Sequence, residues 1–493
     1  MRTLRTALTA LGLLFLLPLI SGVGGSASNP TEAQLLPSFA EPVSALDPVG
    51  AGADPAGEIL PDAEQAAQKR RDPTPTNSPV MARAEIAIEQ SLPGLLAALR
   101  PSQRAGSIVD EEGQPVVGAW VSDGDELVRT DAEGRFVLSE GGGTWLVVAP
   151  GYRPARAESG AVALSLQPFM PRAIYLPYEQ LWQTETMAWA LELARDGTIN
   201  AIVVDIKEEG GATLPLAATA DGLRLDAVVD TGTDVGAFLR ELGEMDVYRI
   251  ARQVTFLDRR LAQGRPETAL RLADGTALDD GAYAWTDPRA DEVRSYNIAI
   301  AAAAAPYFDE IQFDYVRYPG NSKLAFSKAL DAEARARSIA GFAEEAAAVL
   351  HRRGVAISFA LFGITAINSG DAGIGQNLED LADRVDHVAP MVYPSAWPVG
   401  SFGAGYPAAE PGRVVAASIA SAVQRVRAAG NAVVRPWLQD FQDYGPAGLS
   451  CGAVEVAAQI KASSEAGGVG FMLWDQSLRY ALSTLRSEQE IPE

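Results

Sequence analysis

FDEIQFDYVRYP, residues 308–319, follows an alanine-rich segment and ends in Tyr-Pro, and its alternation of apolar and polar side chains reads as a β-strand. Successive strand residues point to opposite faces. Ile311, Phe313 and Tyr315 therefore share one face, and Glu310, Gln312 and Asp314 share the other. Three polar residues on one face of an otherwise apolar strand are unusual core, because burying a carboxylate without partners is costly. Asp314 is thus either a functional carboxylate at the strand's far end or one held in an ion pair, with Arg317 the nearest candidate partner.

Working outward, the chain from Pro171 alternates strand and helix. Strands are expected near 172–177, 199–206, 247–254, 309–316, 354–361, 386–393, 432–438 and 468–474. Helices are expected at Thr184–Arg195, Pro288–Ala304, Ala332–Arg353, Arg413–Ala429 and Val454–Ala466, the second with Asp287 as N-cap ahead of a first-turn proline. Gly197, Gly354 and Gly430 mark helix ends. Eight strand–helix units in this span fit an α/β fold of the (β/α)8 TIM-barrel type over 171–485. No G-x-G-x-x-G follows the first strand, so a dinucleotide-binding sheet fits less well.

Composition narrows the chemistry. The 40 Lys and Arg against 63 Asp and Glu give a net charge of −23, which disfavours nucleic acid or anionic lipid as partner. Two histidines, His351 and His387, and one cysteine, Cys451, leave no material for a His-rich zinc site, a Cys–His protease or an internal disulfide. No metal or cofactor is called for. Catalysis then rests on carboxylates, Tyr, Lys or Arg.

A barrel of this type works at the C-terminal ends of its strands. There the sequence places Asp205, Lys207 and Glu208 at the end of strand two, Arg252 at the end of strand three, and Asp314 and Arg317 at the end of strand four. Tyr393 and Trp397 follow strand six, Trp437 and Asp440 end strand seven, and Trp474 and Asp475 end strand eight. The catalytic candidates are Asp314, Asp205, Asp440, Asp475 and Glu208. Candidate substrate contacts are Tyr175, Arg252, Gln312, Arg317, Tyr393, Trp397, Trp437 and Trp474. Acids protonate a glycosidic oxygen and stabilise an oxocarbenium-like centre, while aromatic faces stack on pyranose rings, so the set points to carbohydrate. Lys207 and Glu208 also read as a solvated surface pair, Trp437 and Trp474 as barrel core, and His387 as a core histidine. The segments 207–232 and 256–286 are expected to build the cleft walls.

Upstream, Arg2 and Arg5 precede an apolar run from Ala7 to Ile20 and then Gly25-Ser26-Ala27, the layout of a signal peptide over 1–27. That run falls short of the roughly 20 residues that span a bilayer. Export to the periplasm or beyond is expected, with no membrane insertion after cleavage. Residues 28–103, which include PTPTNSP at 73–79, read as a low-complexity linker with at most one helix, over 82–99. From 104 to 168, short apolar runs alternate with turn signals such as Asp131-Ala132-Glu133-Gly134, as in a small β-sandwich.

Two resemblances add to this. The words GSIVDEEGQPVVGAWV, TDAEGRFVL and LVVAPGY resemble the carboxypeptidase regulatory-like domain, which implies a seven-stranded transthyretin-like accessory or surface-presenting module and does not imply peptidase activity. AIVVDIKEEGG, YRIARQVTF, FDEIQFDYVRYP, HVAPMVYPSAW and GFMLWDQSL resemble, in order over about 172–480, a bacterial glycoside-hydrolase-like family catalogued as a domain of unknown function. That likeness implies a glycosidase barrel with Asp314 as leading carboxylate and Asp205 as a second landmark. More distantly, FDEIQFDYV looks like the FDGIDIDWE motif of chitinases, whose acid would fall at Val316, and valine cannot donate a proton. In retaining amylase-like barrels a fourth-strand aspartate is the nucleophile, the role expected of Asp314. The acid then comes from another strand, and Leu361-Phe362-Gly363 at the end of strand five offers none. The alternative is a barrel that binds carbohydrate without cleaving it, or an envelope scaffold.

Overall fold

The computed structural model describes residues 103–487 apart from 140–142, 159–162, 231, 280–282, 321–329 and 446–447. The expected leader and nearly all of the linker lie outside the described residues.

Nine strands close one parallel sheet. They are β8 (Arg172–Leu176), β9 (Ala201–Lys207), β10 (Tyr248–Val254), β11 (Glu310–Asp314), β12 (Ala356–Phe362), β13 (His387–Met391), the pair β14 (Val433–Val434) and β15 (Trp437–Gln439), and β16 (Phe471–Trp474). The pairings run in sequence order, and β16 returns to β8, so β14 and β15 together count as the seventh of eight barrel strands. The seven preceding strands are β1 (Arg104–Asp110), β2 (Trp120–Ser122), β3 (Leu127–Arg129), β4 (Arg135–Leu138), β5 (Thr144–Val148), β6 (Ala155–Glu158) and β7 (Ala163–Leu166). They form sheets β4-β1-β7 and β3-β2-β5-β6 over a core of their own that includes Ile108, Val121, Phe136 and Trp145.

Around the barrel run α1 (Thr184–Arg195), α2 (Val235–Glu244), α3 (Asp291–Ala304), α4 (Ala332–His351), α5 (Pro411–Ala429) and α6 (Ala453–Glu465). Local chemistry sets several of their ends. Asp331 caps α4 by accepting from Ala334 N–H at 2.8 Å, and Gly354 takes the left-handed φ of 69° that stops its continuation. Gly430 ends α5 for a different reason: a Cβ there would lie 2.3 Å from the Ala382 carbonyl oxygen. The expected Asp287 cap is corrected. Its carboxylate takes the N–H and guanidinium of Arg289, and α3 begins later, at Asp291. No helix among the described residues is long and apolar enough to cross a membrane.

The strand faces sort as the alternation in FDEIQFDYVRYP requires. Ile311 and Phe313 pack in the apolar layer between barrel and helices, together with Val316. Glu310, Gln312 and Asp314 line the barrel interior from bottom to top. Glu310 ties the bottom layer: it lies 2.7 Å from Arg435 and 3.2 Å from His387, and accepts from the Tyr248 hydroxyl at 3.0 Å. The ion pairs outweigh burial and hold its carboxyl well below the usual range. His387 is thus a core group near the barrel floor.

The two-sheet module sits on that floor, away from the strand ends where chemistry is expected. Trp120 stacks on His351 at 4.8 Å, Arg129 pairs with Asp383 at 2.9 Å, and Arg153 pairs with Asp246 at 3.3 Å.

Candidate active site

The upper interior of the barrel is organised by Arg252. Register places it beside Asp205 on β9 and Gln312 on β11, two residues below the level of Asp314. Its guanidinium reaches upward. Nε and Nη2 grip Asp314 Oδ2 at 2.9 and 2.7 Å, Nη1 donates to Asp205 Oδ1 at 2.8 Å, and Nη2 donates to Glu209 Oε1 at 3.3 Å. The ion pair of Asp314 is therefore with Arg252. Arg317 instead lies among rings, its Cζ 4.3 Å from the Phe362 centroid, 4.9 Å from Tyr315 and 5.0 Å from Trp285. Burial acts against the Arg252 charge, but Asp205 and Asp314 outweigh it and raise its pKa well above the ordinary value.

Each carboxylate is held differently. Asp314 accepts the N–H of Tyr315 at 2.6 Å, and Tyr315 has a φ of 47°, a conformation a bulky residue adopts only when its surroundings enforce it. That turn fixes the carboxylate at the strand end, and the side chain keeps 11% of its surface open. Asp205 is enclosed. Its Oδ2 accepts from the Tyr175 hydroxyl at 2.6 Å and from Tyr178 N–H at 3.2 Å, and burial pushes its pKa up to about 6 despite Arg252. Glu209 is the outermost of the three.

Aromatic rings wall the cluster. Trp474 stacks on Tyr175 with centroids 4.2 Å apart, and Arg252 Cζ lies 5.1 Å from the Trp474 ring. Tyr393 is buried next to Asp314, whose charge adds to burial in raising the phenol's pKa well above its usual value. Trp397, half-buried on the loop after β13, packs edge-on against Phe402 at 4.7 Å, and its indole N–H has no partner.

Other expected site residues lie elsewhere. Trp437 and Gln312 are correctly placed on their strands but sit below the mouth: Trp437 is 1% exposed and donates its indole N–H to Gln312 Oε1 at 2.9 Å, while Gln312 also donates to Ser358 at 3.1 Å. They fill the middle layer of the barrel. Lys207 and Glu208 are no surface pair. The β9–β10 register shifts after Arg252, which turns Lys207 toward the helix layer, where it pairs with Asp258 at 2.8 Å and Asn297 at 2.9 Å. Glu208 folds back on its own loop, accepting from Gly210 and Ala212 N–H at 2.7 Å each. That loop packs on the 256–286 segment, with Arg260 N–H donating to the Gly210 carbonyl at 3.3 Å, so the two segments form one continuous wall.

Asp440 and Asp475 border a separate cavity of about 170 Å³ with Phe441, Gln442, Ser477 and Arg479. Asp475 accepts from the N–H groups of Ser477 and Arg479, and Asp440 from Ala481 N–H at 2.8 Å. Burial pushes the Asp440 carboxyl up to about 7. A carboxyl raised in the folded state stabilises while it holds its proton, so this contribution is complete below about pH 4 and lost as the pH rises through about 7. Asp440→Asn, which stays neutral, should flatten that loss and be more stable than wild type at pH 8 by on the order of 2 kcal/mol. Urea unfolding at pH 5 and pH 8 tests this, and equal pH slopes in both proteins would contradict it.

Two residues escaped the sequence reading. Glu209 adjoins Glu208 in KEEGG, and only the turn after β9 decides which acid faces the barrel mouth. Trp182 lies just past the first strand and is 44% exposed, edge-on at 5.8 Å to Tyr178, whose N–H binds Asp205. Among the described residues no group of three or more His, Cys, Asp or Glu is placed to hold a metal ion.

Residues 173–480 match a family model described as “Putative glycosyl hydrolase domain”. Similar solved structures include a hypothetical protein from Ruminiclostridium thermocellum, 29% identical over 38% of this chain and 96% of that one, with a TM-score of 0.34. The PgaB (BpsB) glycoside hydrolase domain from Bordetella bronchiseptica is 13% identical over 65% of this chain and 97% of that one, at 0.47. An endo-1,4-β-D-mannanase from Thermotoga petrophila is 12% identical over 62% and 88%, at 0.42. No curated protein matches.

Proposed function

This chain belongs to the glycosyl hydrolase domain family whose model covers its barrel, and from that premise we propose that it cleaves O-glycosidic bonds of an oligo- or polysaccharide outside the cytoplasm. Asp314 serves as nucleophile and Asp205 positions Arg252 beneath it. The observation that carries this reading is the shared guanidinium. Asp314, Asp205 and Glu209 all accept from Arg252, and a planar guanidinium keeps their bound oxygens within about 8 Å of one another. Paired carboxyl groups act in glycoside hydrolysis at about 5–9.5 Å, and the shared guanidinium keeps these carboxylates inside that outer limit. Trp474 and Trp397, both partly buried, offer ring faces to a pyranose, whereas the expected contact Tyr175 is 3% exposed and covered by Trp474. The signal peptide directs export, and the two-sheet module serves as an accessory domain on the barrel floor.

The test is incubation of the mature protein with a panel of bacterial, plant and fungal polysaccharides. Release of new reducing ends is expected. Binding to a glycan without any product would favour a non-catalytic sugar-binding barrel.

Trp182 is placed to extend the binding surface beyond the catalytic cluster. Trp182→Ala should raise KM for an oligosaccharide substrate about 2- to 10-fold with kcat unchanged, the size of one lost ring-stacking contact. Steady-state kinetics on the wild type and variant decide it, and an unchanged KM would remove Trp182 from the site.

A further inference from the structure

We propose that Glu209 is the acid/base partner of Asp314 and that the reaction proceeds with retention of anomeric configuration, an inference that rests on the glycosidase reading above. A proton donor must reach a glycosidic oxygen at the mouth, and the other candidate acids are engaged elsewhere. Glu208 spends both oxygens on backbone N–H groups of its own loop. Asp475 does the same at Ser477 and Arg479, and Asp440, one oxygen of which accepts from Ala481 N–H, borders the separate cavity with Asp475 rather than the Arg252 cluster. Asp205 is saturated by Tyr175, Tyr178 and Arg252, and is 2% exposed.

Glu209 differs on each count. Its side chain is 27% exposed, and its hydrogen bond to Arg252 is the longest of those that guanidinium makes to carboxylates. It also shares a donor atom with Asp314. Both accept from the same nitrogen, Arg252 Nη2, at 3.3 and 2.7 Å, so their bound oxygens are at most about 6 Å apart, the two contacts laid end to end. Retaining enzymes hold their carboxyl groups about 5–5.5 Å apart and inverting ones about 6.5–9.5 Å, the extra room being for water. The ceiling of about 6 Å on the Asp314–Glu209 pair lies below the inverting range and accommodates the retaining one.

In the first step, protonated Glu209 gives its proton to the glycosidic oxygen. An Asp314 carboxylate oxygen bonds to the anomeric carbon, and the bond to the departing alcohol breaks. In the second, the Glu209 carboxylate takes a proton from water, whose oxygen bonds to the anomeric carbon as the Asp314 ester breaks. Both carboxyl groups return to their starting states.

The experiment uses the mature protein and a panel of 2,4-dinitrophenyl and phenyl glycosides of common hexoses and N-acetylhexosamines. Glu209→Ala should lose about 10²- to 10⁴-fold in kcat/KM on phenyl glycosides, whose leaving group needs a proton. On the 2,4-dinitrophenyl glycoside, whose leaving group does not, the loss should be under 10-fold in kcat/KM, and added azide should yield a glycosyl azide of retained configuration. An equal loss on both substrates or no loss on either would overturn the assignment of Glu209 while leaving the glycosidase reading in place, and an inverted first product in the wild-type reaction would overturn retention and with it the nucleophile role of Asp314, but not glycosidase activity. A wild-type protein that cleaves no member of the panel would overturn both.

Discussion

Asp314→Asn is expected to lower kcat by about 10⁴-fold or more while the melting temperature shifts by less than about 4 °C. The asymmetry follows from what the side chain does. Arg252 and Tyr315 N–H bind different oxygens of Asp314, so the single amide oxygen of Asn keeps one of these contacts and loses the other, a cost of about 1 kcal/mol that leaves residue 314 at the end of β11. An amide oxygen cannot form the ester that a retaining mechanism needs. Thermal melting and turnover of an aryl glycoside by the same preparation separate the two effects. Turnover within about 10-fold of wild type would remove Asp314 from the mechanism, whatever the melting curve does.

Arg252→Met should cost about 3–5 kcal/mol of stability at pH 8 and abolish turnover, because it withdraws the one cation shared by three carboxylates. Asp205 bears most of the stability loss. It would keep Tyr175 and Tyr178 as donors but lie enclosed without a counter-charge. The pH dependence carries a sign. In the wild type, burial holds the Asp205 carboxyl at about 6, above its unfolded value, so its stabilising contribution is present at low pH and lost as the pH rises through about 6. Without Arg252 the charged form is worse still. The deficit of the variant should therefore be largest at pH 8 and shrink toward pH 5. Arg252→Lys should recover part of the stability but little of the activity, since a single ammonium cannot reproduce the fork that orients Asp314. Denaturant unfolding at the two pH values is the check, and a deficit below about 1 kcal/mol at pH 8 would contradict the role given to this residue.

The frame of the barrel was legible because its signals are local. Alternation in FDEIQFDYVRYP assigns Asp314 to the interior face, and the structure places Ile311 and Phe313 against the helices as that alternation demands. The helix Thr184–Arg195 begins and ends where its sequence signals it. What the sequence withheld depends on contacts between strands. The reach of Arg252 across three carboxylates follows from β9–β10–β11 register, and an arginine on strand three looks the same whether it points at Asp314 or at solvent. Lys207 reads as interior or surface until the register shift beside Arg252 turns it toward Asn297. Trp437 and Gln312 satisfy one another only once the barrel closes, so a tryptophan at a strand end passed for a sugar platform when it is a filler of the middle layer. Glu209 was hidden by its neighbour, because two adjacent glutamates in a turn exchange roles with a small change in backbone direction.

The most direct measurement is mass spectrometry after exposure to 2-deoxy-2-fluoroglycosyl fluorides, which trap a glycosyl-enzyme ester. One sugar should appear on the tryptic peptide Ser295–Arg317, and fragmentation should place it on Asp314. Labelling of a different carboxylate, or full turnover of an aryl glycoside with no trapped ester on that peptide, would contradict the assignment of Asp314 as nucleophile.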